Sequence, residues 1–213
     1  MFLTVFERNP LVAVAMLLGF AIGIVLHEAS HAYSAYKLGD DTAYRYGRVT
    51  LNPASHLDVM GSLMLVMVGF GWGRPVPVEL SKLRGGRWGG VAVAFAGPAA
   101  NLAIVALCGI LMRIGPFQGR LLLSCILGIA FVNALLFVFN LIPIPPLDGA
   151  KVLYPFLPRS LDGFVSFMNQ YGPYVLLGLV LVSVLIPGVS PFRFLSYVIN
   201  PILALFGIPS LFG

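Results

Sequence analysis

PLVAVAMLLGFAIGIVLHEASHAYSAYK, residues 10–37, contains only two charged side chains, Glu28 and Lys37. Coiled as a helix at 1.5 Å per residue, the run is about 40 Å long, enough to cross a hydrocarbon core of ~30 Å. Pro10 suits a first helical turn, where its missing N–H is not needed, and Gly39, Asp40 and Asp41 break the pattern beyond Lys37. The rest of the chain has the same character. Of 213 residues, 59% are hydrophobic and 10% charged, with a mean hydropathy of +0.94, against roughly 25% charged in a soluble domain. Lipid admits only helices or closed barrels, and apolar runs near 20 residues select helices. The fold class is therefore an all-α polytopic membrane bundle of about four to six transmembrane helices. The apolar N-terminal run lacks an A-x-A-like cleavage site and is expected to stay attached.

Beyond Asp41, residues 42–53 (TAYRYGRVTLNP) interleave aromatic and β-branched residues with polar ones, which predicts a small membrane-associated β element of one or two strands. Residues 57–72 form a short, glycine-rich apolar run, and 73–88 read as a surface connection carrying Lys82, Arg84 and Arg87. The clearest further spans are 90–112 and 121–142, joined by a short turn. A proline-broken segment, PIPPLDGAKVL, follows. The pattern then predicts an interfacial stretch at 158–169, a span at 171–186, and a Pro- and Gly-rich run at 192–212 that either crosses or lies on the surface. Cys108 and Cys125 are expected to be buried free thiols.

Residues 27–31 read HEASH, and helical geometry puts His27 and His31 one turn apart on one face, able to grip a single metal ion. Glu28 then stands beside the ion, placed to take a proton from a water that attacks a carbonyl carbon. Such five-residue patterns arise by chance in soluble proteins. Three ionisable groups on one turn of an apolar spanning helix are far too costly for coincidence. Catalytic zinc usually takes three protein ligands, and the remaining candidates are Asp148 and His56. Asp148 follows Pro143, Pro145 and Pro146, which stop helix continuation, but it also suits an ordinary N-cap. His56 also reads as a surface or gating residue.

If Asp148 is the residue that joins the histidines, the topology is constrained. His27 lies about ten residues before the first helix ends, so a metal there sits roughly 15 Å inside the face where that helix exits. If residues 57–72 crossed fully, the 121–142 helix would end at the opposite face and Asp148 could not reach His27. If 57–72 is re-entrant, Asp148 returns to the same face. Lys37, Arg45, Arg48, Arg74, Lys82, Arg84 and Arg87 then gather there, which the positive-inside rule makes cytoplasmic. The net charge of +5, from 13 basic residues in short connections, suits lipid headgroups rather than nucleic acid.

HEASH, AGPAAN at 96–101 and NLIPIPPLDG at 140–149 together resemble the signature of the site-2 protease family of intramembrane zinc metalloproteases. RYGRVTLNPASHLD followed by GWGRPVPV is similar to its small prokaryotic branch, which has no PDZ domain. The resemblance covers about residues 20–155. It implies one zinc ion on His27, His31 and Asp148, Glu28 as general base, and Asn140 and Asn101 as substrate-binding residues. It also implies transmembrane protein substrates and residence in a prokaryotic cytoplasmic membrane. Residues 1–213 then make one integral-membrane metalloprotease domain, with a catalytic core at about 10–155 and C-terminal membrane segments at about 156–213. The alternatives are a metal transporter or channel, or an inactive protease-like chaperone; an intact Glu28 opposes the second.

Overall fold

The computed structural model describes residues 6–7, 9–115, 119–186, 189 and 191–209. Seven helices organise them: α1 (Pro10–Lys37), α2 (Val59–Val68), α3 (Arg87–Ile114), α4 (Arg120–Asn140), α5 (Asp148–Leu153), α6 (Asp162–Leu185) and α7 (Leu195–Leu205). Among the described residues four segments are long and apolar enough to cross a membrane: α1, α3, α4 and the stretch Arg159–Leu185 that contains α6. The boundaries have local causes. Asn9 Oδ1 accepts the Val12 amide and Pro10 opens α1; past its end, Gly39 takes φ +105°, a conformation glycine adopts at no steric cost.

The core is α1 packed against α3 and α4, and close contacts fix the directions. Along α1, His27 meets Asn101 and His31 meets Val93, so α1 and α3 run antiparallel. Gly19 abuts Ile129 and Gly23 abuts Asn133, so α1 and α4 run parallel. Small residues make this approach possible: a Cβ on Gly19 would stand 2.8 Å from the Ile129 Cα. Close backbone approach of this kind is what drives helix association in lipid. Val12, Met16, Phe20 and Ile24 of α1 join Val105 of α3 and Ile126, Phe131 and Leu136 of α4 in one buried cluster. Both cysteines are free, Cys108 buried and Cys125 partly so.

Between α1 and α3 the chain does not run from one end of the bundle to the other. The Arg84 amide donates to the Leu38 carbonyl (2.8 Å) and the Glu79 amide to Asp40 Oδ2 (2.7 Å), which ties the end of α1 to the start of α3. Residues 57–72 go out and come back. Asp58 caps α2 by accepting the Gly61 amide (2.8 Å), Gly69 ends it at φ 79°, and Leu57 bridges antiparallel to Gly73. With ten residues, α2 is about 15 Å long, half a membrane crossing.

Two expectations are corrected, and one left open is narrowed. No strand forms over 42–53: Thr42–Arg45 and Pro53–His56 are single helical turns, and Leu57 with Gly73 is the sole strand-like pair among the described residues. Asp40 Oδ1 accepts the Thr42 amide (3.0 Å) and Asn52 Oδ1 that of Ala54 (3.1 Å), and these local caps outcompete a ladder for which no partner strand is at hand. The aromatic pattern there reflects ring stacking, with Tyr36 and Tyr44 5.0 Å apart. Second, the interfacial stretch at 158–169 and the span at 171–186 are largely one helix, α6, which continues through Pro173. Third, α7 has 11 residues, too short to cross.

Gly19→Ala drives a methyl group into the α4 backbone and is expected to cost about 1–3 kcal/mol, read as a lower unfolding midpoint in detergent. Gly163→Ala, with nothing within 4 Å of the added methyl, should leave the midpoint unchanged or raise it.

Candidate metal centre

His27 and His31 project from one face of α1, and Asp148 reaches them from the first turn of α5. The Asp148 Oδ2 atom lies 3.1 Å from both Nε2 atoms, which are themselves 3.0 Å apart. All three side chains are buried. Asp148 is not a helix cap: Leu147 holds that position, and no side chain caps α5. Its second oxygen, Oδ1, faces the exposed Lys151 ammonium at 3.4 Å.

The outer ring nitrogens decide what this cluster can hold. His31 Nδ1 is 2.7 Å from the Val93 carbonyl, which can only accept, so the proton sits on Nδ1. His27 Nδ1 is 2.7 Å from Asn101 Oδ1, and Asn101 Nδ2 donates to the Gly23 carbonyl at 3.2 Å. That donation orients the amide and makes His27 Nδ1 the donor as well. Both Nε2 atoms therefore present lone pairs, and with a carboxylate oxygen they form three acceptors turned on one another. Such a trio out of water is suited to receive a cation between its members. Tetrahedral zinc with ligand bonds of about 2.0–2.1 Å sets neighbouring ligand atoms roughly 3.3 Å apart, close to the spacing seen. The residues fit one zinc ion with a coordination position left open.

Space for the rings comes from Gly97. A Cβ there would stand 2.6 Å from His31 Cε1 and 2.7 Å from His27 Cε1. Gly97 and Asn101, four apart on α3, thus share a face: one makes room for the imidazoles and the other bonds one of them. Both residues lie in the AGPAAN stretch at 96–101, whose resemblance to the family signature does not indicate the part that Gly97 plays.

Glu28 is partly buried and makes no hydrogen bond among the described residues; its Oε1 borders Gly73, at 3.3 Å from where a Cβ would stand. The segment after Gly73 is held by Arg48, a buried guanidinium that donates to the carbonyls of Pro75 (3.0 Å) and Arg74. His56 is not exposed and is not a member of the cluster: it is fully buried and donates from Nε2 to the Thr50 carbonyl at 2.8 Å. Burial lowers its pKa, in keeping with a neutral ring. Asn101 departs from its expected part as well. It is fully buried, with its amide spent on His27, Gly23 and Asn133, and has no polar atom left for a substrate. Asn140 donates to Leu136 (3.0 Å) and leaves Oδ1 without a partner among the described residues. Asn133 escaped the sequence reading, although an amide in mid-span was a signal.

A buried cluster of two histidines and one carboxylate, drawn from two helices of a multi-pass bundle and packed against a third, defines a metal-dependent membrane protein. Three curated relatives narrow this. The chain is 38% identical over 165 residues to "Putative zinc metalloprotease YwhC" of Bacillus subtilis, covering 73% of this chain and 75% of the relative. It is 31% identical over 182 residues to the Mycobacterium tuberculosis protein given that description as Rip2, covering 82% and 69%. A Methanocaldococcus jannaschii protein of the same description is 31% identical over 144 residues, covering 67% and 71%. No family model and no solved structure matches the chain. The chain belongs to the site-2 protease family of zinc metalloproteases, and zinc is its cofactor.

Replacing Gly97 with alanine puts a methyl group where the imidazoles lie. Zinc content of the purified protein, measured by mass spectrometry, is expected to fall about tenfold or more, while far-ultraviolet circular dichroism stays helical.

Proposed function

We propose that this protein is an intramembrane endopeptidase that hydrolyses peptide bonds within or near transmembrane segments of membrane proteins. The observation that carries the reading is the meeting of His27, His31 and Asp148 within a spanning helix bundle, with Glu28 uncommitted one residue along. His27 and His31, each anchored through Nδ1–H, and Asp148 through Oδ2 hold the zinc ion. When bound, zinc polarises a carbonyl and acidifies water. Glu28 takes a proton from the attacking water as the C–O bond forms, then delivers it to the amine as the C–N bond breaks. Asn140, at the end of α4, offers Oδ1 to a substrate amide.

A transmembrane helix hides its carbonyls in i to i−4 bonds, so a substrate must unwind and find other partners. Residues 74–79 are suited to pair with it as an added strand. Pro75 and Pro77 have no N–H, Arg48 holds the carbonyls of Arg74 and Pro75, and Asp40 takes the Glu79 amide. The backbone groups of Val76 and Val78 have no partner among the described residues and form a two-residue edge in the segment that follows Gly73, which itself borders Glu28. Residues 57–72, whose ends meet, dip into the membrane and return. The 37–56 and 73–88 segments then share the cytoplasmic face with most of the basic residues, and the metal lies roughly 15 Å inside it.

Reconstituted with a single-span substrate, Glu28→Gln is expected to keep its zinc and lose about 10²- to 10⁴-fold in cleavage rate; chelator treatment stops cleavage in the wild type. Zinc loss in that variant counts against a purely chemical role for Glu28. Cysteines placed in the 37–56 and 73–88 loops are expected to label from the same side of sealed vesicles. Labelling from opposite sides would refute the re-entrant topology.

A further inference from the structure

We propose that Asn133, on α4, is a positioning residue that fixes which ring nitrogen of His27 carries the proton and thereby how tightly zinc is held. The inference rests on the reading of His27 as a ligand. His27 can bind a metal through Nε2 only while its proton stays on Nδ1, and that requires an acceptor at the Asn101 amide. A primary amide keeps its shape when turned by half a rotation. Reversed, Asn101 would present N–H to Nδ1 and drive the ring proton onto Nε2, pointing it at His31 and Asp148.

Two acceptors oppose that reversal by receiving Asn101 Nδ2: the Gly23 carbonyl at 3.2 Å and Asn133 Oδ1 at 3.0 Å. Of the two, the Asn133 contact is the shorter, and it is the one that a side-chain substitution removes. Asn133 has no ambiguity of its own. Its Nδ2 donates to the carbonyls of Gly19 (3.2 Å) and Ile129 (2.9 Å), both of which can only accept. Orientation therefore passes from two main-chain carbonyls through Asn133 and Asn101 to the ring. Asn101 and Asn133 are fully buried and His27 nearly so, so bulk water cannot substitute for any link. His31 needs no such relay, because Val93 restrains it through a main-chain carbonyl that cannot turn over.

The variants are Asn133→Leu, which removes the acceptor, and Asn133→Asp, which as the uncharged acid favoured by burial keeps an acceptor oxygen for Asn101 and donates its O–H to the Gly19 or Ile129 carbonyl. Zinc affinity is measured on the detergent-solubilised chain by competition with a chelator. Ring-nitrogen NMR of the metal-free, 15N-histidine-labelled protein reads the tautomer; with three histidines in the chain, His27→Ala assigns the signals. The wild type is expected to show His27 protonated on Nδ1. Asn133→Leu is expected to populate the Nε2–H form and weaken zinc binding about tenfold or more, and Asn133→Asp to stay within about threefold of wild type. A wild-type His27 protonated on Nε2, unchanged ring signals or affinity in the leucine variant, or an equal loss in the aspartate variant overturns the proposal. The wild-type spectrum and the aspartate variant decide the matter even where the leucine variant does not fold. Zinc retained by His27→Ala overturns the ligand reading itself; zinc lost there beside an unaffected leucine variant overturns only the role of Asn133.

Discussion

Lone pairs turned toward one another inside an apolar bundle are the constraint around which this molecule is arranged. Two imidazole nitrogens and a carboxylate oxygen within 3.1 Å of each other repel unless something positive lies between them, and all three side chains are buried. Each ring must also be denied its other protonation pattern, because a proton on Nε2 would close the site to a metal. That task falls to groups on α3 that can only receive a hydrogen bond at that point: the Val93 carbonyl for one ring and the oriented Asn101 amide for the other. The helix crossing, the bare Cα of Gly97 and the return of Asp148 all serve the same three atoms.

The helix directions follow from this. Asp148 lies beyond the end of α4, and α4 runs parallel to α1, so the chain leaves both helices at the same end of the bundle. From there the short segment from Leu141 to Asp148 suffices to bring the carboxylate back to the level of His27. An α2 long enough to cross would invert α3 and α4 and carry Asp148 to the far end. The ten-residue length of α2 and the bridge between Leu57 and Gly73 thus belong to the same geometry as the metal centre, although neither touches it.

Much of this was legible in the amino acids. Ionisable residues in a spanning helix are expensive, so His27, Glu28 and His31 stood out. Three prolines before Asp148 announced that the chain would stop being a helix and turn. The spans showed in uninterrupted apolar runs. Residues 42–53 were misread because aromatic and β-branched residues also suit a membrane interface, where rings stack and short caps satisfy the backbone; periodicity alone does not separate that setting from a sheet. The α6 helix was divided in sequence because its polar beginning looks like a surface segment, and Pro173 does not end it. Asn133 and Gly97 were the harder omissions. Gly97 lies in the quoted AGPAAN stretch and Asn133 in none, but that one makes room for the rings and the other stands behind Asn101 appears only once α1, α3 and α4 are brought together.

The alternation of prolines in residues 74–79 has a consequence for the molecule's behaviour toward its neighbours. An exposed sheet edge usually invites further strands, and from there aggregation. Here the ring nitrogens of Pro75 and Pro77 cannot donate, and Arg48 and Asp40 already occupy the groups at either end. A chain that paired here would find open backbone groups over two residues only, at Val76 and Val78. Such an edge would hold an unwound peptide briefly and would not seed a growing sheet.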